Sequence, residues 1–311
     1  MMTNKNVCIA GALLFGLLLT IGQTSSAQFL NGDLTVKEPT LHIADSLLSH
    51  QQVICSPAVV LTFLNGNRME GSLKTRQLAQ GNTLKSDGTQ IYEQSKGAVG
   101  WVAMCYRKTV AGVSVNPASA FVITPDGVCL TNYHVLYAFA KDKGIDDTGV
   151  FLVRLGNGKT YQLKKVLYAS IEDDVAVLQL AIGLGEKLPF VPIERTLSKI
   201  GQDLYVLGNP QDMYYVFTKG MVANLYTDAL MWPDGKGGSL RNLMAITADF
   251  AVGSSGSPIL NDRGNVIGMV SSTHVIEQNS TGYPLTQMVI KNAIPNSSLL
   301  KALTTAAFRK K

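Results

Sequence analysis

Cysteine and histidine are scarce in this chain, with four of each in 311 residues. No histidine has a cysteine or a second histidine close beside it, so no metal site is expected and no cofactor is read. Cys8 falls in the first apolar run, which leaves Cys55, Cys105 and Cys129. In an oxidising compartment these permit one disulfide and an odd thiol. Cys105 and Cys129 fall on neighbouring predicted strands, where a bridge and a pair of core thiols are both open. Concentrated charge is lacking as well. The 27 Lys and Arg residues are scattered, and only the terminal "FRKK" forms a basic group. Nucleic-acid binding needs a stripe, so no nucleic-acid partner is expected.

Long apolar runs are missing apart from one. "VCIAGALLFGLLLTIG", preceded by Lys5 and followed by "SSA", reads as an export signal over residues 1–27 with cleavage after Ala27. The competing reading is a membrane anchor, but glycines interrupt the run. No later segment is apolar for long enough to span a bilayer. A periplasmic or secreted protein is expected, touching the membrane only through this segment if it stays uncleaved.

From about Val99 the chain becomes a succession of short β-like runs: "VGWVAMCYR", "SAFVIT", "VCLTN", "FLVRL", "YQLKKVLYA", "DVAVLQL", "DLYVLG", "YYVFTKGMVANLY", "NLMAIT", "SPIL", "NVIGMVSS" and "LTQMVI". Turn signals "PDG", "GNG" and "NDRGN" stand between them. Twelve strands at this spacing predict an all-β fold built of barrels or a sandwich. Residues 28–95 differ, and read as a propeptide or as a cover packed on the β-rich part. Within them "AVVLTFLNGNRMEGSLK" is expected to form a hairpin through Asn65 and Gly66. "DGTQIYEQSKGA" predicts a short helix with Asp87 as N-cap and Gln90 three residues on. A short C-terminal helix is expected after Pro295.

"AVGSSGSPIL" sets Ser255 among small residues that permit a tight turn and an accessible hydroxyl. A nucleophile needs a base and a group to orient it. "LTNYHVL" puts His134 directly after a strand, where a loop could hold it at a cleft. "EDDVAVLQL" puts Asp174 at the head of a strand, with Asp173 as its near competitor. The order His134, Asp174, Ser255 is neither that of an α/β-hydrolase nor that of a subtilisin, and G-x-S-x-G fails at Ser257.

Taken together, "TNYHV", "DVAVLQL", "VLGNP", "FTKGMVA", "GSSGSP", "VIGMV" and "NAIP" resemble the protease domain of trypsin-like peptidases of the Deg/high-temperature-requirement type, over about residues 90–300. The resemblance implies two six-stranded antiparallel β-barrels of the chymotrypsin type, over residues 96–195 and 196–311, with the N-terminal extension before them. It implies His134 as general base, Asp174 as its orienter and Ser255 as nucleophile, with the N–H groups of Gly253 and Ser255 as oxyanion donors. A polypeptide substrate is implied, cleaved by a serine endopeptidase.

Departures from the family pattern bear on these expectations. "GNSGGP" reads "GSSGSP", and "GSG" on the second strand reads "ASA" at 118–120. Ser254 stands where trypsin-like zymogens carry the aspartate that pairs with a new N-terminus. The tandem peptide-binding modules common in Deg-type enzymes are not read. Asp249 occupies the place of the trypsin pocket aspartate, against a purely structural reading of "TAD". Val270 stands where glutamyl endopeptidases carry a histidine, so the expectation is an apolar pocket near Met269, Val270 and Ser271. The alternative function is a protease-like fold that binds or senses without turnover.

Overall fold

The computed structural model describes residues 30–66, 78–109, 112–142, 148–231, 238–280 and 283–308. The expected leader lies outside them. Twelve strands form, at the places where alternation and turn chemistry predict them. β1 (Val99–Thr109), β2 (Gly112–Val122), β3 (Val128–Thr131), β4 (Gly149–Leu155), β5 (Thr160–Ser170) and β6 (Val175–Leu180) close into a barrel in the order β1-β2-β3-β6-β5-β4. β7 (Asp203–Gly208), β8 (Val216–Met231), β9 (Gly238–Ile246), β10 (Pro258–Leu260), β11 (Val266–Ser280) and β12 (Tyr283–Pro295) close a second one in the order β10-β11-β12-β9-β8-β7. Every pairing is antiparallel.

Side-chain alternation along each strand sorts the core. On β1, Val102, Met104 and Tyr106 face a cluster with members from all six strands, which fills the first barrel. Trp101, Ala103 and Cys105 face a second cluster outside that barrel, shared with Leu207, Leu260, Met269 and Ile294 of the second barrel. Leu204, Val222, Met244, Ile259, Ile267 and Ala293 fill the second barrel. Cys129 belongs to the first barrel's interior and Cys105 to its outer cluster, so the two thiols stay free. Burial pushes both thiols up, to about 12.

Among the described residues five α-helices lie on the barrels: α1 (Glu38–Ser49), α2 (Pro57–Gly66), α3 (Gly88–Lys96), α4 (Tyr133–Lys141) and α5 (Asn296–Phe308). The expected cap of α3 is present in full. Gln90 N donates to Asp87 Oδ1 at 2.9 Å and Asp87 N donates to Gln90 Oε1 at 3.2 Å. The expected hairpin at 58–74 is corrected: its described part is helix α2. Pro57 suits a first helical turn. Pro57, Val60, Leu61 and Leu64 recur at helical spacing, with Pro57 and Val60 buried and Leu61 and Leu64 packed on the first barrel's core. Among the described residues no helix is long and apolar enough to cross a membrane.

The thiols of Cys105 and Cys129 should resist alkylation in the native protein at pH 8 and react fully after denaturation. Peptide mapping after iodoacetamide treatment checks this, and native labelling of either would contradict the packing.

Candidate active site

His134 is the second residue of α4 rather than part of a loop. Val135, Leu136, Phe139 and Ala140 recur at helical spacing and bury one face of α4, so the imidazole is left on the open face. Asn132, the helix N-cap, is fully buried, and its amide donates to the Asp174 carbonyl at 3.2 Å.

Asp174 directly precedes β6 with φ +52, a left-handed conformation that costs a residue with a side chain on the order of 1 kcal/mol or more. The turn that holds it is pinned from several directions. Arg241 on β9 donates to the carbonyls of Ile171 and Glu172 at 2.6 and 2.8 Å. Lys301 of α5 pairs with Asp173 at 2.8 Å, and Asp173 N donates to Ser170 Oγ at 3.1 Å. Asp173 therefore turns to the helix, and Asp174 to the imidazole.

The Asp174 carboxylate is buried. It accepts from the His134 backbone N–H at 3.1 Å, from Nδ1 at 3.0 and 3.1 Å, and from Ser271 Oγ at 2.7 Å. Burial pushes its pKa up, but the hydrogen bonds and charges of His134, Arg241 and Ser271 outweigh that and hold it below the usual carboxylate range. An ionised Asp174 fixes the proton on Nδ1. Nε2 is then left with a lone pair, as a general base requires.

Ser255 stands in a turn framed by Gly253 (φ +94) and Gly256 (φ +87). A Cβ at Gly253 would lie 2.6 Å from the Asn209 carbonyl oxygen, and one at Gly256 2.1 Å from that of Ser119. The turn's carbonyls are tied inward. Ser119 N donates to Ser255 O at 2.8 Å, Ser119 Oγ to Gly253 O at 2.9 Å, and Gln211 N to Val252 O at 2.8 Å. Asn209 in turn donates to Ser119 Oγ at 3.1 Å. Among the described residues no group accepts from the N–H of Gly253 or Ser255. The Ser255 hydroxyl itself donates to the Ser271 carbonyl at 3.3 Å. Ser271 thus touches both the Ser255 hydroxyl and the Asp174 carboxylate.

The pocket expectations fare differently. Ser271 donates its hydroxyl to Asp174 and lends its carbonyl to Ser255. Met269 and Val270 are buried in the core clusters of the outer cluster and second barrel, respectively. A register shift between Val270 and Ser272 turns β11 at this point. The Asp249 side chain is 88% exposed, with Oδ1 3.9 Å from Lys291 Nζ. Ser119 and Asn209 lay inside "ASA" and "LGNP" with no role read for them. Arg241 had no local signal, because its partners are about 70 residues away. The extra hydroxyl at Ser257 fits because its neighbour is Gly208, where a Cβ would lie 2.1 Å from Ser257 Oγ.

Residues 118–269, which include His134, Asp174 and Ser255, match the family model described as a trypsin-like peptidase domain. Protease Do-like 5, chloroplastic, of Arabidopsis thaliana is 30% identical over 156 residues, 50% of this chain and 47% of its own. A probable periplasmic serine endoprotease, DegP-like, of Pseudomonas savastanoi pv. phaseolicola is 32% identical over 159 residues, 49% of this chain and 28% of its own. The chain therefore matches under half the length of either relative. The crystal structure of the serine endoprotease from Yersinia pestis is similar in fold, with a TM-score of 0.51 at 20% identity over 73% of this chain and 69% of that one. Residues 118–269 are thus similar to trypsin-like peptidase domains, about half of the chain is similar to serine proteases of the Do-like and DegP-like kind, and the two-barrel fold is shared with the Yersinia pestis structure.

Proposed function

We propose that this protein is an exported serine endopeptidase that hydrolyses peptide bonds through an acyl-enzyme on Ser255. One observation carries the reading: the buried Asp174 carboxylate is bonded to His134 Nδ1 and, through Ser271, linked to Ser255. Export rests on the leader read over residues 1–27 and on the periplasmic naming of the Pseudomonas relative.

The Ser255 hydroxyl turns from Ser271 O toward Nε2 as substrate binds. Oγ attacks the scissile carbonyl carbon while Nε2 takes its proton, and Asp174 stabilises the imidazolium. The carbonyl oxygen becomes an oxyanion, which the N–H groups of Gly253 and Ser255 receive. Collapse breaks the C–N bond, and the amine leaves with the proton from Nε2. Water, deprotonated by Nε2, then attacks the acyl carbon; the C–Oγ bond breaks, Nε2 returns the proton to Ser255 Oγ, and the carboxylic acid leaves. The rival reading, a protease fold that binds without turnover, draws on the resting hydroxyl, which is bonded to Ser271 rather than to His134.

Three outcomes are expected. Fluorophosphonate should add one adduct by intact mass to the wild type and none to Ser255→Ala, with casein cleaved only by the former. A folded wild type that neither labels nor cleaves would favour the binding module. Gly253→Ala should lower kcat by about 10²–10³ through displaced oxyanion donors, a fall read by steady-state kinetics beside circular dichroism. Asp174 is held below its ordinary value, so its stabilisation is present above the carboxylate range and lost as pH falls through its folded value. Melting curves should therefore put wild type above Asp174→Asn at pH 7 and bring the two together in acid.

A further inference from the structure

Lys291 is a cation that the catalytic steps leave unused. It lies on β12, where its Cα pairs with that of Thr273 on β11. Two segments of the second barrel flank the Ser255 hydroxyl. One is 249–254, which runs directly into Ser255. The other is 271–273, whose first carbonyl accepts from Ser255 Oγ at 3.3 Å. Lys291 joins the two segments away from Ser255. Its backbone pairs beside Thr273, and its Nζ donates to the Phe250 carbonyl and lies 5.0 Å from the Phe250 ring centroid. Ser271 and Thr273 are two residues apart, about 6.5 Å of extended chain.

His134 belongs to the first barrel and must reach the departing amine. With the acyl half of a substrate set against the second barrel, a side chain next to the attacked carbonyl that entered between these two segments would approach the ammonium that joins them. That ammonium is only 18% exposed on its side chain and has three N–H donors, of which Phe250 takes one. Asp249, its only ion-pair partner among the described residues, is 3.9 Å away and 88% exposed, outside hydrogen-bond reach and solvated. A shielded cation with donors to spare is suited to a carboxylate. We infer that Lys291 selects an acidic side chain, Asp or Glu, at the residue whose carbonyl Ser255 attacks, and that Asp249 competes for the same ammonium. This inference rests on the peptidase reading above.

The test uses fluorogenic peptides that differ only at the attacked residue: Glu, Asp, Gln, Ala or Lys. Wild type should favour Glu over Gln in kcat/KM by about tenfold or more. Lys291→Met should bring that ratio near one, Lys291→Arg should restore part of it, and Asp249→Asn should raise it. The opposite movement of the Lys291 and Asp249 variants is what a merely structural lysine would not produce. Fluorophosphonate labelling of Ser255 in each variant verifies that the site is assembled. Equal rates for Glu and Gln in wild type, or a preference that survives Lys291→Met in labelling-competent protein, would overturn the inference. If wild type neither labels nor cleaves, the peptidase reading fails on its own. The pocket is then tested by calorimetric binding of peptides ending in Glu or Gln to Ser255→Ala, with and without Lys291→Met, and equal affinities would overturn it.

Discussion

A carboxylate sealed between two barrels is the constraint on which the rest of this molecule depends. Burying Asp174 unpaired would cost several kcal/mol. The fold meets that demand with the backbone and ring N–H of His134 on α4 and the hydroxyl of Ser271 on β11. α4 must sit at one angle for His134 to supply both donors. β11 of the second barrel must dock on the first for Ser271 to reach. The geometry around Asp174 and the docking of the barrels are therefore one requirement.

The same economy extends outward from Ser255. Its turn holds because Ser119 of the first barrel and Asn209 of the second take up its carbonyls and neighbours, and among the described residues the N–H groups of Gly253 and Ser255 have no acceptor. The loop after Asn209 is itself strained, with Gln211, Asp212 and Tyr215 all at positive φ. Residues ahead of the first barrel brace it. Lys37 pairs with Asp212 at 2.7 Å, and Gly32 lies so close to the Tyr214 ring that a Cβ there would be 2.3 Å from it. The ion pair is partly exposed and contributes little by itself. The close packing of Gly32 on the ring is the firmer part of the contact.

Wherever physics acts over a few residues, the sequence is legible. Period-two alternation and turn residues gave the positions of all twelve strands, and Asp87 with Gln90 announced the start of α3. Helix α2 was misread because Asn65-Gly66 is a turn signal. The competing signal, apolar residues three and four apart, depended on a core that forms only after folding. The site divides in the same way. His134, Asp174 and Ser255 stand in recognisable local motifs, and their order excluded two other folds. Where Met269, Val270 and Asp249 point was not legible, because burial of the first two in separate core clusters and exposure of the third are set by packing between distant strands.

By itself, the sequence determined the strand positions and singled out Ser255, His134 and Asp174 as residues that could act together, since alternation, glycine turns and chain order are properties of the chain alone. Only the tertiary structure decided that Asp173 turns to Lys301, that Ser271 joins His134 at Asp174, and that Lys291 reaches the Phe250 carbonyl. Each of those depends on groups far apart in the chain that meet only once the two closed barrels have formed and packed together, and no local pattern carries that information.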